Sequence, residues 1–224
     1  QVVSATNYDR YFSTLEANRV HIGIQNPLAY ITLAKTRGAY PLAKMVQPDG
    51  STSYRGIIIV RDNGSIHRIE DLRERTVAAA SHTAVGGYLA QAFLCSKHGL
   101  RNGRDFKLSL VDTQDNVIGL VYRAKADAGF VREDSLEAVR GKIDLSKIKV
   151  IAYTDNYPTW CVAAFANTPP EVASKIGKCL LDLDRNNPQH REILESIGIS
   201  GFEQASDADY DVMRKTMEEL NLPY

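Results

Sequence analysis

Residues 76–91 read Thr-Val-Ala-Ala-Ala-Ser-His-Thr-Ala-Val-Gly-Gly-Tyr-Leu-Ala-Gln and concentrate groups that can hold an anion. Ser81 and Thr83 carry hydroxyl donors. His82 between them carries a positive charge when protonated, its reference pKa being about 6.5. The elements that would position them follow from pattern. The apolar run from Thr76 to Ala80 is predicted as a buried strand, and Tyr88 to Lys97 as a helix with Leu89, Phe93 and Leu94 on one face. Ser81 to Thr83 then form an N-cap cluster, and the first-turn N–H groups, with the helix dipole behind them, point into the loop. The same small and hydroxyl residues also suit an ordinary capped strand-to-helix junction, and His82 also suits a surface loop. The stretch alone leaves both readings open.

Elsewhere the titratable side chains do not assemble into reaction chemistry. The five histidines, His21, His67, His82, His98 and His190, are scattered, and no paired carboxylates, Cys/His pair or Ser/His/Asp set has a supporting spacing. An enzyme is not expected, and neither is a cofactor. The three cysteines, Cys95, Cys161 and Cys179, lack metal-ligand spacing and fall in apolar-periodic segments, which predicts no metal and a buried structural role for each. With 27 basic and 27 acidic residues the formal net charge is zero, which speaks against nucleic acid or an anionic membrane as partner and makes any anion site local. The longest apolar runs, such as Gly56 to Val60, are far short of a membrane span.

The 224 residues suffice for one large domain or two lobes. Strand and helix patterns alternate along them. Strands are expected over residues 1–5, 20–24, 40–47, 54–61, 76–80, 105–111, 126–130, 150–153 and 159–165. Helices are expected over residues 7–17, with Tyr8, Phe12 and Leu15 inward and Asn18 as a stop, then from Pro27, over 88–97, 115–123 and 133–140, and from near Pro170 and Ser206. The Pro170 helix carries Val172, Ile176, Cys179, Leu180 and Leu183 at helical spacing. Such alternation predicts an α/β fold built on parallel sheet.

Several phrases, in this order, resemble the phosphonate and phosphite solute-binding proteins of ABC transporters. Asn18-Arg19-Val20-His21-Ile22-Gly23-Ile24 leading to Asn26-Pro27-Leu28-Ala29-Tyr30 is similar to that family's G-x-V-D-I-A followed by G-P-x-x-Y. Tyr54 with Gly56 to Arg61 resembles Y-x-S-x-I-I-V-R, Ile69 to Leu72 resembles S-L-x-D-L, and Lys125 to Gly129 resembles G-K-V-D-A-G. Pro158, Pro169 and Glu195 to Ile199 fall at familiar points. The resemblance implies a type II periplasmic-binding fold: two α/β lobes, residues 1–58 with 152–224 and residues 59–151, joined by two hinge crossings around a central ligand cleft. It also implies that the family's first strand and helix would precede Gln1.

The resemblance further implies the ligand contacts. Tyr30 and Tyr54 match two cleft tyrosines, with core packing as their rival role. The family's anion loop, Ser-Thr-Ser-Gly, aligns here with Ala84, Val85, Gly86 and Gly87, so its hydroxyls are replaced and Ser81, His82 and Thr83 would substitute from upstream. The family's Gly-His-x-x-Asn loop appears as Asp112 to Asn116, with Thr113 in place of the histidine and Asn116 kept as a helix cap. Asp134, beside Glu133, matches an acidic residue that can meet an amino group, and Arg132 would supply a bidentate anion contact, though all three equally suit a solvated surface. Tyr157, beside Trp160, stands where the family may carry an acidic residue. The implied function is extracytoplasmic binding of a small anion, a phosphonate-, phosphite- or phosphate-like oxyanion or an organic acid, for delivery to an ABC permease. The implied protein is periplasmic or membrane-anchored and monomeric. The alternative is the sensing domain of a membrane receptor such as a histidine kinase, its partner then its own kinase module.

Overall fold

The computed structural model describes residues 20–224 together with Ser13; the strand and helix expected over residues 1–17, and the stop at Asn18, lie outside the described residues. The chain groups into two compact units, Gln1–Thr52 with Pro158–Asp211 and Tyr224, and Ser53–Tyr157 with Val212–Pro223. Each unit has its own sheet.

In the first unit, strands β1 (Ile22–Gln25), β2 (Tyr40–Val46), β8 (Cys161–Ala164) and β9 (Gly201–Glu203) run in the order β1-β8-β2-β9. Among the described residues every pairing of this sheet is antiparallel, where parallel sheet was expected. All four residues of β8 are buried, as its apolar run between two partners requires. Helix α1 (Pro27–Arg37) starts where the Asn-Pro pair places it: Asn26 Oδ1 accepts from Ala29 N at 2.8 Å and Pro27 occupies the first turn. It ends at Gly38, whose φ of 58° suits a residue without a Cβ.

Helix α5 (Pro170–Leu181) begins at the expected residue but turns a different face inward. Ala173 and Gly177 are its buried residues, while Val172 and Cys179 are exposed. A small-residue stripe lets the helix lie close to β2, where Leu42 Cβ would be 3.8 Å from a Cβ at Gly177, and the larger apolar residues are pushed to the flanks. The burial expected for Cys179 is thereby corrected; Cys95 and Cys161 are buried. Helix α6 (Pro188–Ser196) and strand β9 went unpredicted. The start signal of α6 repeats that of α1, Asn187 accepting from Gln189 N at 2.9 Å ahead of Pro188. Leu194 is its one buried residue, so no apolar stripe marks it.

In the second unit, β3 (Ser53–Arg61), β4 (Thr76–Ala79), β5 (Lys107–Leu110), β6 (Ala128–Arg132) and β7 (Ile148–Pro158) form a sheet in the order β5-β4-β6-β3-β7. β4 is parallel to β5 and β6, and β3 is antiparallel to β6. Parallel pairing thus joins β4 to both of its neighbours, β5 and β6. Helices α2 (Ala90–Lys97), α3 (Gln114–Tyr122) and α4 (Ser135–Ala138) connect the strands, and α7 (Asp211–Glu219) is the C-terminal helix. A core of Ile57, Ile59, Val117, Ile118, Val121 and Val131 joins α3 to β3 and β6. The helix expected over residues 133–140 shrinks to the single turn of α4, which has no buried residue to extend it.

Candidate functional site

Three chain segments leave the carboxyl ends of the parallel strands β4, β5 and β6, the edge at which α/β sheets collect ligands. β3 runs antiparallel to β6 with Gly56 opposite Arg132, so its beginning, at Tyr54, reaches the same edge. There the Arg132 guanidinium carbon lies 4.4 Å from the centre of the Tyr54 ring. This cation–π stack, with 25% exposure of the Arg132 side chain, holds the charge at the surface without burying it. Arg132 Nε donates to Asp134 Oδ1 at 3.0 Å and Nη2 to Oδ2 at 2.5 Å, a bidentate pair. Gln114 Oε1 accepts from the Arg132 backbone N–H at 2.5 Å and from Ser135 Oγ at 3.0 Å. Gln114, Arg132, Asp134, Ser135 and Ala138 line an open recess of about 270 Å³.

The segment after β4 closes on this cluster through its glycines. A Cβ at Gly86 would lie 2.7 Å from Arg132 Cγ and 2.8 Å from Tyr54 Cε2, and one at Gly87 would lie 3.6 Å from Gln114 Cδ. The helix begins earlier than its sequence pattern suggests, as a π-helical turn over Val85–Leu89 that runs into α2. Leu89 N donates to Ala84 O at 3.0 Å, so the N–H groups of residues 85–88 have no acceptor within the helix. They are the donors this edge can offer an anion.

The hydroxyls expected to cap that helix do not. The cap is Ala84, which makes no side-chain cap bond, while Ser81 Oγ and Thr83 Oγ1 face each other at 3.3 Å. The His82 ring stands edge-on to Tyr88 with centroids 5.3 Å apart, and Tyr88 Oη accepts from Asn102 Nδ2 at 3.4 Å. Val85 is buried. Thr113, not Asn116, caps α3: Thr113 Oγ1 accepts from Asn116 N at 3.2 Å, and Asn116 Nδ2 donates to Val111 O at 3.2 Å. Glu133 forms a bidentate pair with Arg55, at 2.6 and 2.8 Å.

Two tyrosines assigned to the ligand are core residues. Tyr30 is fully buried in the first unit, its hydroxyl donating to Asp207 Oδ1 at 2.6 Å and its ring 4.3 Å from that of Tyr210. Tyr157 is fully buried in the second unit, with its hydroxyl 2.6 Å from Thr216 Oγ1; burial pushes its pKa up to about 12. Tyr157→Phe should therefore lower stability by about 1 kcal/mol, the net value of one such hydrogen bond, and leave ligand affinity unchanged, as a paired denaturation and titration experiment would read. The exposed neighbour is Trp160.

Sequence reasoning passed over Gln91 and Gln114. Gln91 is a polar residue in an otherwise apolar run, and Gln114 stands at a helix start. Among the described residues no group of three or more His, Cys, Asp or Glu side chains is placed to hold a metal. Burial raises the thiols of Cys95 and Cys161 to about 12, which removes them as nucleophiles near neutral pH. No helix of the described residues is long and apolar enough to cross a membrane.

A family model described as the periplasmic substrate-binding protein of phosphonate ABC transporters matches residues 1–210. The chain belongs to this family. The binding protein takes its role from that membership: it captures a small solute outside the cytoplasm for uptake through an ABC transporter. Solved structures agree in fold. XAC2383 of Xanthomonas citri, solved bound to ATP, superposes with a TM-score of 0.83 at 18% identity, covering 99% of the binding protein and 85% of its own chain. PhnD1 of Prochlorococcus marinus, in complex with methylphosphonate, has a TM-score of 0.77 at 16% identity over 99% and 86% of the two chains. A binding component of an ABC phosphonate transporter from Pseudomonas aeruginosa gives 0.76 at 16% over 98% and 75%. The fold is that of the type II periplasmic binding proteins.

Proposed function

We propose that the binding protein holds a small oxyanion or organic acid at the strand edge of its second unit, with Arg132 as the cation and the N–H groups of residues 85–88 as the backbone donors. The observation that carries the reading is the contact of Gly86 with the Tyr54–Arg132 stack, which brings a helix start and a guanidinium onto one spot. The anion takes the guanidinium edge that Asp134 occupies. Asp134 is 57% exposed and returns to water at little cost, since pairs this exposed contribute no more than about 1 kcal/mol. The alanine, valine and glycine at positions 84–86 supply no side-chain donors. We therefore assign a cargo held through backbone N–H groups and one guanidinium: a small oxyanion such as methylphosphonate, phosphite or a sulfonate, or a small carboxylate.

The protein acts as a monomer, performs no catalysis and binds no nucleic acid. Its two units are the two lobes of the binding fold, and its acceptor is the ABC permease. A thermal-shift screen against phosphate, phosphite, methylphosphonate, sulfonates and small carboxylates tests the proposal. A cargo at 100 times its Kd should stabilise the fold by about 2.7 kcal/mol. The absence of a shift with every one of them would overturn the anion assignment.

A further inference from the structure

Gln91 sits in the first turn of α2 with no exposed surface, yet it is polar. Its Nε2 donates to the backbone carbonyls of Gly86 at 2.8 Å, Val131 at 2.9 Å and Ile57 at 3.2 Å. One NH₂ group, with two hydrogens, thus serves three acceptors on three separate segments: the π-helical turn, β6 and β3. The place it fills is where the sheet opens. β4 pairs with β6 only at Val77–Ala128 and Ala78–Gly129, and β6 then runs on past β4 towards Arg132. Ile57 and Val131 lie opposite each other just inside that opening.

Two features indicate that this amide is kept at some cost to stability. Gln91 Oε1 is buried without a hydrogen-bond partner, and a buried unsatisfied acceptor destabilises the fold. The amide has no alternative orientation, because turning it over would set an oxygen against three carbonyl oxygens. Gly56, moreover, leaves the room that the amide fills: a Cβ there would lie 2.4 Å from Gln91 Nε2. An apolar residue at 91 would avoid the unsatisfied oxygen but would release the three carbonyls from one another.

We infer that Gln91 is a positioning residue, which clamps the Gly86 carbonyl to β3 and β6 and so sets the orientation in which the N–H groups of residues 85–88 meet the Tyr54–Arg132 stack. This rests on the anion-site reading above. Gln91 reaches no ligand itself; it acts through the backbone of the π-helical turn. The glycine at 56 belongs to the same device, since it admits the amide.

Peptide-resolved hydrogen exchange on the full chain, with calorimetric titration of methylphosphonate, tests the assignment. In Gln91→Leu, exchange of the Leu89 and Ala90 amides, which close the π turn onto the carbonyls of Ala84 and Val85, should rise about tenfold while β4 and β5 keep their protection, and methylphosphonate affinity should fall about tenfold. Gly56→Ala should reproduce both effects, because its methyl displaces the amide, and should add little when built on Gln91→Ala. Unchanged exchange at Leu89 and Ala90, or a uniform rise across the second unit, would reduce Gln91 to core packing and overturn the inference. If the wild type does not bind methylphosphonate, the choice of that cargo fails; a loop-confined rise in exchange then still supports the clamp, and its absence still overturns it.

Discussion

Arg132→Ala is expected to weaken binding of the cargo by about 1.5 to 3 kcal/mol, the range for a hydrogen bond to a charged group. The Arg132 guanidinium lies over the Tyr54 ring while its Cγ methylene packs at Gly86, and the segment after β4 offers backbone dipoles but no charge of its own beyond His82. Folding should be affected much less. The lost ion pair with Asp134 is largely solvated, and the stack on Tyr54 contributes about 0.5 to 1 kcal/mol at an exposed site. Isothermal titration with the anion that gives the largest thermal shift reads the first quantity, and denaturant unfolding the second. An unaltered affinity would place the cargo elsewhere on the protein.

Gly86→Ser tests the same geometry from the opposite side. In the resemblance to the phosphonate-binding proteins, position 86 aligns with a hydroxyl residue, so serine there looks like a restoration. The structure expects a loss. The new Cβ would lie 2.7 Å from Arg132 Cγ and 2.8 Å from Tyr54 Cε2, and neither is the free end of a flexible chain. Relieving that overlap displaces the stack or the turn, which should destabilise the protein by about 1 to 3 kcal/mol and weaken binding together with it. Improved affinity for a phosphonate, measured by the same titration, would mean that the stack moves aside when cargo is bound and that the recess is built differently from the arrangement described.

Much of the fold was legible because the signals that define it are local. The Asn26-Pro27 start of α1 and the apolar run of β3 depend on neighbours in sequence, and each lies where the pattern puts it. The misses share a cause. Antiparallel pairing in the first sheet depends on which strands meet, and strand–helix alternation in sequence carries no such information. The inward face of α5 was misjudged because small residues, not large ones, make the close contact. α6 escaped because it buries one residue.

The candidate site divides in the same way. Arg132, Asp134, Tyr54 and Gly86 came to notice through the resemblance to the phosphonate-binding family, which aligns stretches of sequence and so needs no tertiary contact. The burial of Tyr30 and Tyr157 was not legible because a tyrosine hydroxyl serves equally well at a surface or in a buried hydrogen bond, and the partners Asp207 and Thr216 are distant in sequence. Gln91 and Gln114 escaped notice because an amide shows its role only when the carbonyls and N–H groups around it are in place.

By itself, then, the sequence determined that this is an α/β protein of the phosphonate solute-binding family and that the segment aligned with the family's anion loop lacks side-chain hydroxyls at positions 84–86, because strand and helix patterns and residue identities are carried by the chain order. Only the tertiary structure decided that the helix after that loop opens with a π turn, that Arg132 stacks on Tyr54 against Gly86, and that Gln91 ties the loop to two strands. Those arrangements join residues separated by up to about 80 positions, and they exist only once the start of β3 has met the segments that leave the carboxyl ends of β4 and β6.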